Sequence, residues 1–444
     1  MKRQGAAIDA EKYVTSAAAN EPIGLKLYRA ASWISGPAAE MILRQRLKEG
    51  KEDPARMPER TGLAGRTRPD GALCWIHGAS VGESLSVLPL VERFTAADPA
   101  LNILVTTGTV TSAKLMSERL PGRAIHQFIP VDHPRFVRGF LDHWRPDTAI
   151  FVESEFWPNL LIETRKRVAN MALVNGRVSP KSYADWKGKP QSIRFLLSHF
   201  DILIAQDRQN AERLSALSER EVACYGNLKN AAPPLPGDVR EETRILAELE
   251  GRCFWLAAST HPGEEPAIFA AHRALKSELP NLVTILAPRH PERGDDVAAV
   301  AAKFELAVRR RSKGQRIDAQ TDIYIADTLG ELGIFYRIAN AAFVGGSLVE
   351  KGGHNPLEPA RLGCAILHGP HIFNFVETYG DIRGAGGAAL VRNDRDLAVA
   401  LKRLFADDKT RQAMADTARD AAKASAERVL TNVVDALDEK FSAK

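Results

Sequence analysis

Three short stretches combine residue types and spacings that suit chemistry. In the first, His77-Gly78-Ala79-Ser80-Val81-Gly82-Glu83 directly follows an apolar run and opens a stretch of helix length. Glycine permits a tight turn and a close approach of ligand to backbone, and a helix N-terminus favours anions. Ser80 and Glu83 also have the S/T-x-x-E spacing of a capping box. Two readings therefore stand for Glu83: a helix cap, or a carboxylate base at a cleft mouth. In the second, Phe151-Val152-Glu153-Ser154-Glu155-Phe156-Trp157-Pro158-Asn159, an apolar strand ends in two carboxylates before a Pro-initiated helix. Alternate residues of an extended segment share a face, so Glu153 and Glu155 could point the same way. Each would then raise the pKa of the other unless a cation lies nearby. Glu155 could instead complement the helix N-terminus.

The third stretch runs from Gly345-Gly346-Ser347-Leu348 to Gly352-Gly353-His354-Asn355-Pro356-Leu357-Glu358. Asn355 suits an N-cap, Pro356 the first helical turn and Glu358 the third position. A glycine-rich loop feeding a capped helix offers a phosphate free N–H donors and a positive helix end. Glu358 could accept hydrogen bonds from ribose hydroxyls. A purely structural loop-to-helix junction is the plainer alternative. Three smaller pieces also stand at strand ends: Ala287-Pro288-Arg289-His290-Pro291, Asp327-Thr328-Leu329-Gly330-Glu331 and Gly226-Asn227-Leu228-Lys229. Arg289 is placed to meet a phosphate or carboxylate, and Lys229 to face a cleft. Cationic residues on loops are more often simply solvated, and the shared placement is what singles these out.

What positions them is an alternation of strand-length apolar runs and helix-length stretches. Strands are predicted at Ala72–Ile76, Ile103–Thr106, Thr148–Val152, Met171–Val174 and Asp201–Ala205, with helices at Glu83–Thr95, Ser112–Arg119, Pro134–Trp144, Pro158–Val168 and Arg208–Leu217. Continuous apolar strands between amphipathic helices imply a parallel sheet covered on both faces, hence a doubly wound α/β domain. Asn230 to Asp238, NAAPPLPGD, has the chemistry of a linker. Alternation restarts with Cys253–Ala258, Leu282–Ala287, Ile323–Ile325, Ala342–Val344 and Ala365–Leu367. Two such halves are expected to face each other across a ligand-binding cleft. The expected boundaries are a helical, possible membrane-associating segment over 1–70, α/β domains over 71–229 and 246–425, a hinge over 230–245 and a C-terminal helix over 426–444. That helix is read from an alanine-rich, charged run beginning near Asp408.

Composition narrows the class. The chain of 444 residues is 45% hydrophobic and 26% charged, with a net charge of +5. Pro22 to Arg68 alone carries ten Lys/Arg against five Asp/Glu, leaving the rest nearly neutral and arguing against a nucleic-acid partner. Cys74, Cys224, Cys253 and Cys364 form no C-x-x-C pair and are expected as buried, reduced thiols in a cytosolic compartment. No histidine pair has H-x-x-x-H or H-E-x-x-H spacing, so no protein-held metal is expected. The polar first twenty residues lack the apolar stretch of a signal peptide. No apolar run reaches the ~18 residues of a spanning helix. Ile23, Leu27, Ala30, Ala31 and Ile34 recur at helical spacing beside Trp33, Lys26 and Arg29. Such a stripe either lies in a bilayer interface or packs on its own domain.

Taken together these motifs resemble the 3-deoxy-D-manno-octulosonic acid (Kdo) transferases of lipopolysaccharide synthesis. The resemblance covers nearly the whole chain. It rests on Gly50-Lys51-Glu52-Asp53, Glu59-Arg60, Ser80-Val81-Gly82-Glu83, Glu153 to Asn159, Gly226-Asn227-Leu228-Lys229, Pro288-Arg289-His290-Pro291-Glu292-Arg293, and Gly345-Gly346-Ser347 through Asn355-Pro356-Leu357-Glu358. It implies a GT-B fold, CMP-Kdo as donor and the lipid A precursor as acceptor at the cytoplasmic face of the inner membrane, held peripherally or by an N-terminal anchor. It implies no cofactor. By the same resemblance Glu83 is the general base of an inverting transfer, and Glu153 and Lys229 support the transition state. Pro288, Arg289, Leu329, Gly330, Glu331, Asn355, Pro356, Leu357 and Glu358 form the CMP site. The competing readings are a GT-B enzyme for another nucleotide sugar and a non-catalytic scaffold at a membrane surface.

Overall fold

Continuous apolar runs must be covered on both faces, and here they assemble two all-parallel sheets. The computed structural model describes residues 21–442, which form one unit of residues 21–233 with 426–442 and another of residues 234–425. The sheet of the first unit contains β1 (Leu73–His77), β2 (Asn102–Thr107), β3 (Ala124–Phe128), β4 (Thr148–Val152), β5 (Asn170–Gly176), β6 (Ile202–Ala205) and β7 (Ala223–Cys224), in the order β3-β2-β1-β4-β5-β6-β7. Side-chain alternation along β1 feeds two cores. Leu73 and Trp75 enter one with Leu104, Phe140 and Phe151. Cys74 and Ile76 enter the other with Val105, Ile150 and Val174. The last helix, Asp408–Ser442, places Val429, Leu430, Val433 and Leu437 in that second core, which is why its end belongs to the first unit.

The second unit repeats the plan with β8 (Phe254–Thr260), β9 (Val283–Pro288), β10 (Val308–Arg310), β11 (Ile323–Ile325), β12 (Ala341–Val344), β13 (Ala365–His368) and β14 (Ala388–Leu390), ordered β10-β11-β9-β8-β12-β13-β14. Trp255 and Ala257 point into one core and Leu256 and Ala258 into the other. Both units are doubly wound, as the alternation predicted. In each, strand order reverses beside the first strand, between β1 and β4 and between β8 and β12. Ligands of such sheets bind beyond the carboxyl ends at that reversal.

Several expectations need correction. Strands β3, β7, β10 and β14 were not foreseen; each is a sheet edge, where the apolar demand is weakest. The predicted hinge, 230–245, contains the start of a helix, Val239–Leu249, because Asp238 caps it by accepting the N–H groups of Arg240 and Glu241. Of the four free cysteines only Cys74 and Cys364 are buried; Cys224 is half-buried and Cys253, just ahead of β8, is exposed. Expectations for residues 1–20 and 443–444 lie outside the described residues.

The N-terminal helix Ile23–Ile34 turns its apolar stripe outward. Ile23, Leu27, Trp33 and Ile34 are all exposed, and only Leu25 and Ser32 are buried. Polar ties decide this orientation. Arg29 donates to Glu163 at 2.7 Å, and Tyr28 Oη donates to Asp132 at 2.9 Å. Glu163 is also ringed by Arg138, Lys166 and Arg167. Burial works against its charge, but those cations outweigh it and hold the carboxyl down at about 2. No helix among the described residues is long and apolar enough to cross a membrane.

Candidate functional site

Beyond the end of β1 the chain turns through Gly78 and Ala79 into the helix Val81–Ala97, with Ser80 as its N-cap. The Glu83 carboxylate folds back onto this turn. Oε2 accepts the Ala79 N–H at 2.7 Å and Oε1 the Ser80 hydroxyl at 2.7 Å. The capping reading is therefore realised, and it leaves the acid–base reading intact. Glu83 is only 9% exposed. Burial pushes its pKa up, the charges of Glu153 and Glu155 push it further, and the bonds from Ser80 and Ala79 only partly oppose them. A carboxylate raised toward neutrality is suited to taking a proton.

Beyond the adjacent β4, Glu153 takes a left-handed backbone, φ 62°. This conformation costs a non-glycine residue about 1–3 kcal/mol and tends to mark functional sites. The simple alternation expected for Glu153 and Glu155 is broken there, and the two carboxylates meet different partners. Lys229 Nζ donates to Glu153 Oε1 at 2.5 Å, and Arg177 Nη1 lies 3.9 Å from Oε2. Glu155 accepts the Trp157 indole N–H at 2.5 Å and lies 3.6 Å from His77 Nε2. Both carboxylates still act on Glu83 through charge. Burial raises the Glu155 pKa, but His77 and Trp157 outweigh it and the net direction is downward. The helix-complement role foreseen for Glu155 falls instead to Asp132, whose carboxylate accepts the N–H groups of Asn159 at 3.3 Å and Leu160 at 2.7 Å at the start of the helix Pro158–Arg165.

Lys229 sits in the 3-10 turn Leu228–Ala231, positioned by two asparagines. Asn227 Oδ1 accepts the Lys229 N–H and Asn175 Oδ1 the Leu228 N–H, each at 2.9 Å. The lysine stem passes Gly82, where an added Cβ would meet Nζ at 3.9 Å. Glu83, Glu153 and Lys229 are thus gathered at the β1/β4 reversal. A cavity of about 510 Å³ opens beside them, lined by His77, Ala79, Glu155 and Trp157 together with Tyr28 and Ser35 of the N-terminal segment.

In the second unit Pro288 ends β9 buried, and Arg289 beyond it is exposed. Its backbone N–H donates to the Thr260 carbonyl at 3.0 Å. The side chain lies close enough to act by charge on Glu358 and His354. Burial pushes Glu358 up, and the Arg289 and Arg361 charges oppose it. Burial, then the Arg289 charge, lowers His354 to about 4. His354 Nε2 and His261 Nε2 are 2.9 Å apart with parallel rings. Asn355 Oδ1 accepts the Leu357 N–H at 3.1 Å, but the helix begins one residue later than expected, with Pro356 rather than Asn355 at its N-cap position and Glu358 second in the helix. Leu329 is exposed and Gly330 takes φ 81°. Glu331 is held by Arg311 and by the Thr328 hydroxyl. It lines a polar hollow of about 400 Å³ with Arg244, Arg311 and Tyr324.

The structure overturns one premise. The N–H groups of Gly346, Ser347 and Leu348 are not free for a phosphate, because the buried carboxylate of Glu264 accepts all three at 2.7–3.0 Å. The helix after Asn355, Leu357–Arg361, has five residues, too short to present a strong positive end. Among the described residues no group of three or more histidine, cysteine, aspartate or glutamate side chains is set out for a metal. Sequence reasoning also gave no role to Asn175, Arg177 and His77. A signal existed for each: all three stand where β1 or β5 reaches its carboxyl end.

Residues 55–232 match the family model described as 3-Deoxy-D-manno-octulosonic-acid transferase (kdotransferase). A 3-deoxy-D-manno-octulosonic acid transferase of Rickettsia bellii (strain RML369-C) is 33% identical over 388 residues, covering 87% of this chain and 92% of the relative. The enzyme of that name from Bordetella pertussis is 34% identical over 398 residues, covering 86% and 91%. Among solved structures, a glycosyltransferase from Rickettsia africae ESF-5 aligns with a TM-score of 0.57 over 85% of this chain and 100% of that chain. At 10% identity that likeness speaks for the fold alone.

Proposed function

We infer the reaction from membership: the chain belongs to the 3-deoxy-D-manno-octulosonic acid transferase family, it is a glycosyltransferase of GT-B type, and its residues support transfer of Kdo from CMP-Kdo to the lipid A precursor. The observation that carries the reading is the buried Glu83 carboxylate with its raised pKa, beside the Glu153–Lys229 pair at the strand-order reversal. Glu83 takes the proton of the attacking acceptor hydroxyl as its oxygen bonds the anomeric carbon of Kdo. The bond from that carbon to the CMP phosphate oxygen breaks in the same step. A single displacement inverts the anomeric centre and requires one base and no nucleophilic side chain. Lys229 balances the charge of Glu153 and presents a cation as charge develops.

The nucleotide falls to the second unit. Arg289 meets the phosphate; its guanidinium has no ion-pair partner among the described residues. Pro288, Leu329 to Glu331 and Asn355 to Glu358 complete the CMP site, with Glu358 turned to ribose hydroxyls. Glu264 excludes the Gly346–Leu348 loop from that task, so the phosphate depends on side-chain cations rather than on a backbone cradle. No metal held by the protein and no cofactor enters this scheme. The test is incubation with lipid A precursor and either CMP-Kdo or a UDP-hexosamine, with products weighed by mass spectrometry. A Kdo increment with CMP-Kdo alone is expected, and a hexosamine increment would overturn the donor assignment.

The outward stripe of Ile23, Leu27 and Ile34 supports docking at the cytoplasmic face of the inner membrane. Burying three such side chains contributes on the order of 5 kcal/mol, enough for reversible association that basic neighbours must reinforce. Replacing all three by aspartate is therefore expected to abolish flotation with anionic vesicles at low salt. Undiminished flotation would remove the helix from that role.

A further inference from the structure

His77 is 1% exposed and is among the residues lining the 510 Å³ cavity, and among the described residues its buried Nε2 has no hydrogen-bond partner. Leaving a buried polar atom unsatisfied is unfavourable, so such an atom calls for an explanation. Its neighbours constrain what it can meet. The Trp75 indole can only donate, and it donates to Thr106 Oγ1 at 2.8 Å. The Thr106 hydroxyl proton is then available to His77 Nδ1 at 2.9 Å. That arrangement favours Nδ1 as the acceptor and the ring proton on Nε2, the nitrogen that lies beside Glu155. The Thr106 carbonyl, at 3.2 Å from Nδ1, offers the opposite tautomer a longer bond. Across from Nε2, Glu155 Oε2 lies at 3.6 Å. That gap is too long for a direct bond, yet it leaves an oxygen within reach of both groups.

Resting on the acceptor reading above, we propose that His77 and Glu155 clamp a sugar hydroxyl of the acceptor. The hydroxyl accepts from Nε2 and donates to Oε2, and Trp157 provides the platform for the ring. A hydroxyl is the group that fits, since it both donates and accepts. A bare anion would face Glu155, and a cation would face the proton on Nε2. Trp157 is 49% exposed and is held in place by the bond from its indole N–H to Glu155. It therefore offers an apolar face with its polar edge already satisfied. Ala79 connects the clamp to the base: it lines the same cavity, and its N–H holds the Glu83 carboxylate. A sugar held by the clamp thus lies beside the turn that carries Glu83.

The test is steady-state kinetics with lipid A precursor and CMP-Kdo, each varied in turn. His77→Phe and Glu155→Gln are each expected to raise the acceptor KM about tenfold, the order of one hydrogen bond to the substrate. The donor KM should stay within twofold of wild type, and His77→Gln, which keeps a donor near the Nε2 position, should recover most of the loss. Trp157→Ala, an exposed change, carries the same expectation if His77→Phe does not fold. An acceptor KM within twofold of wild type in Glu155→Gln and Trp157→Ala would sink the clamp, as would an equal rise in both KM values. Either result beside an inactive Glu83→Gln leaves the general-base reading standing, whereas a fully active Glu83→Gln removes that reading itself.

Discussion

Replacing Glu83 by glutamine is expected to lower transfer by about a thousandfold, within the range a positioned general base contributes, while the fold survives. The survival follows from the local geometry. The glutamine oxygen can still accept the Ala79 N–H, and its amide can donate to the Ser80 hydroxyl, so the cap at the start of Val81–Ala97 keeps both bonds. What is lost is the capacity to take a proton. Circular dichroism and thermal unfolding should match wild type, and the loss should fall on kcat. Unaltered turnover would return Glu83 to a purely capping role.

Lys229→Met is the second large effect, with an expected loss of about a hundredfold in kcat. The Lys229 ammonium lies 2.5 Å from Glu153, and Glu153 is 5% exposed in a strained backbone. Removing the cation leaves that carboxylate buried with, among the described residues, only the more distant Arg177 at 3.9 Å as an ion-pair partner. The lysine side chain itself is 39% exposed but the carboxylate it leaves is only 6% exposed, so the cost to stability should exceed that of a surface pair, at about 1–3 kcal/mol. Because the two groups act as a unit, Lys229→Met combined with Glu153→Gln should lose less than the product of the single losses. Full additivity, or a kcat near wild type in Lys229→Met, would deny the pair its role.

Much of this was legible in the sequence because the physics involved is local. Strands such as β4 and β11 must be apolar on both faces, so their runs are continuous, and the cap at Ser80 and Glu83 is a four-residue pattern. The edge strands escaped because an edge need not be covered: β10 reads Val-Arg-Arg and β3 Ala-Ile-His-Gln-Phe. What failed depended on partners far along the chain. Glu264 fills the glycine loop from 82 residues away, so a pattern of free N–H groups read as a phosphate cradle was already satisfied internally. The apolar stripe of Ile23–Ile34 was visible, but its outward orientation was not. It is set by Arg29 meeting Glu163 and Tyr28 meeting Asp132, across 134 and 104 residues.

The pH dependence of acceptor kcat/KM, recorded for wild type beside the residual activity of Glu83→Gln, probes the base itself. Burial and neighbouring carboxylates raise the Glu83 pKa, and the group must be ionised to act. Wild-type activity should therefore climb with pH through a limb displaced above the ordinary carboxylate range, and the variant should show no such limb. The same rising limb in both proteins would contradict proton removal by Glu83.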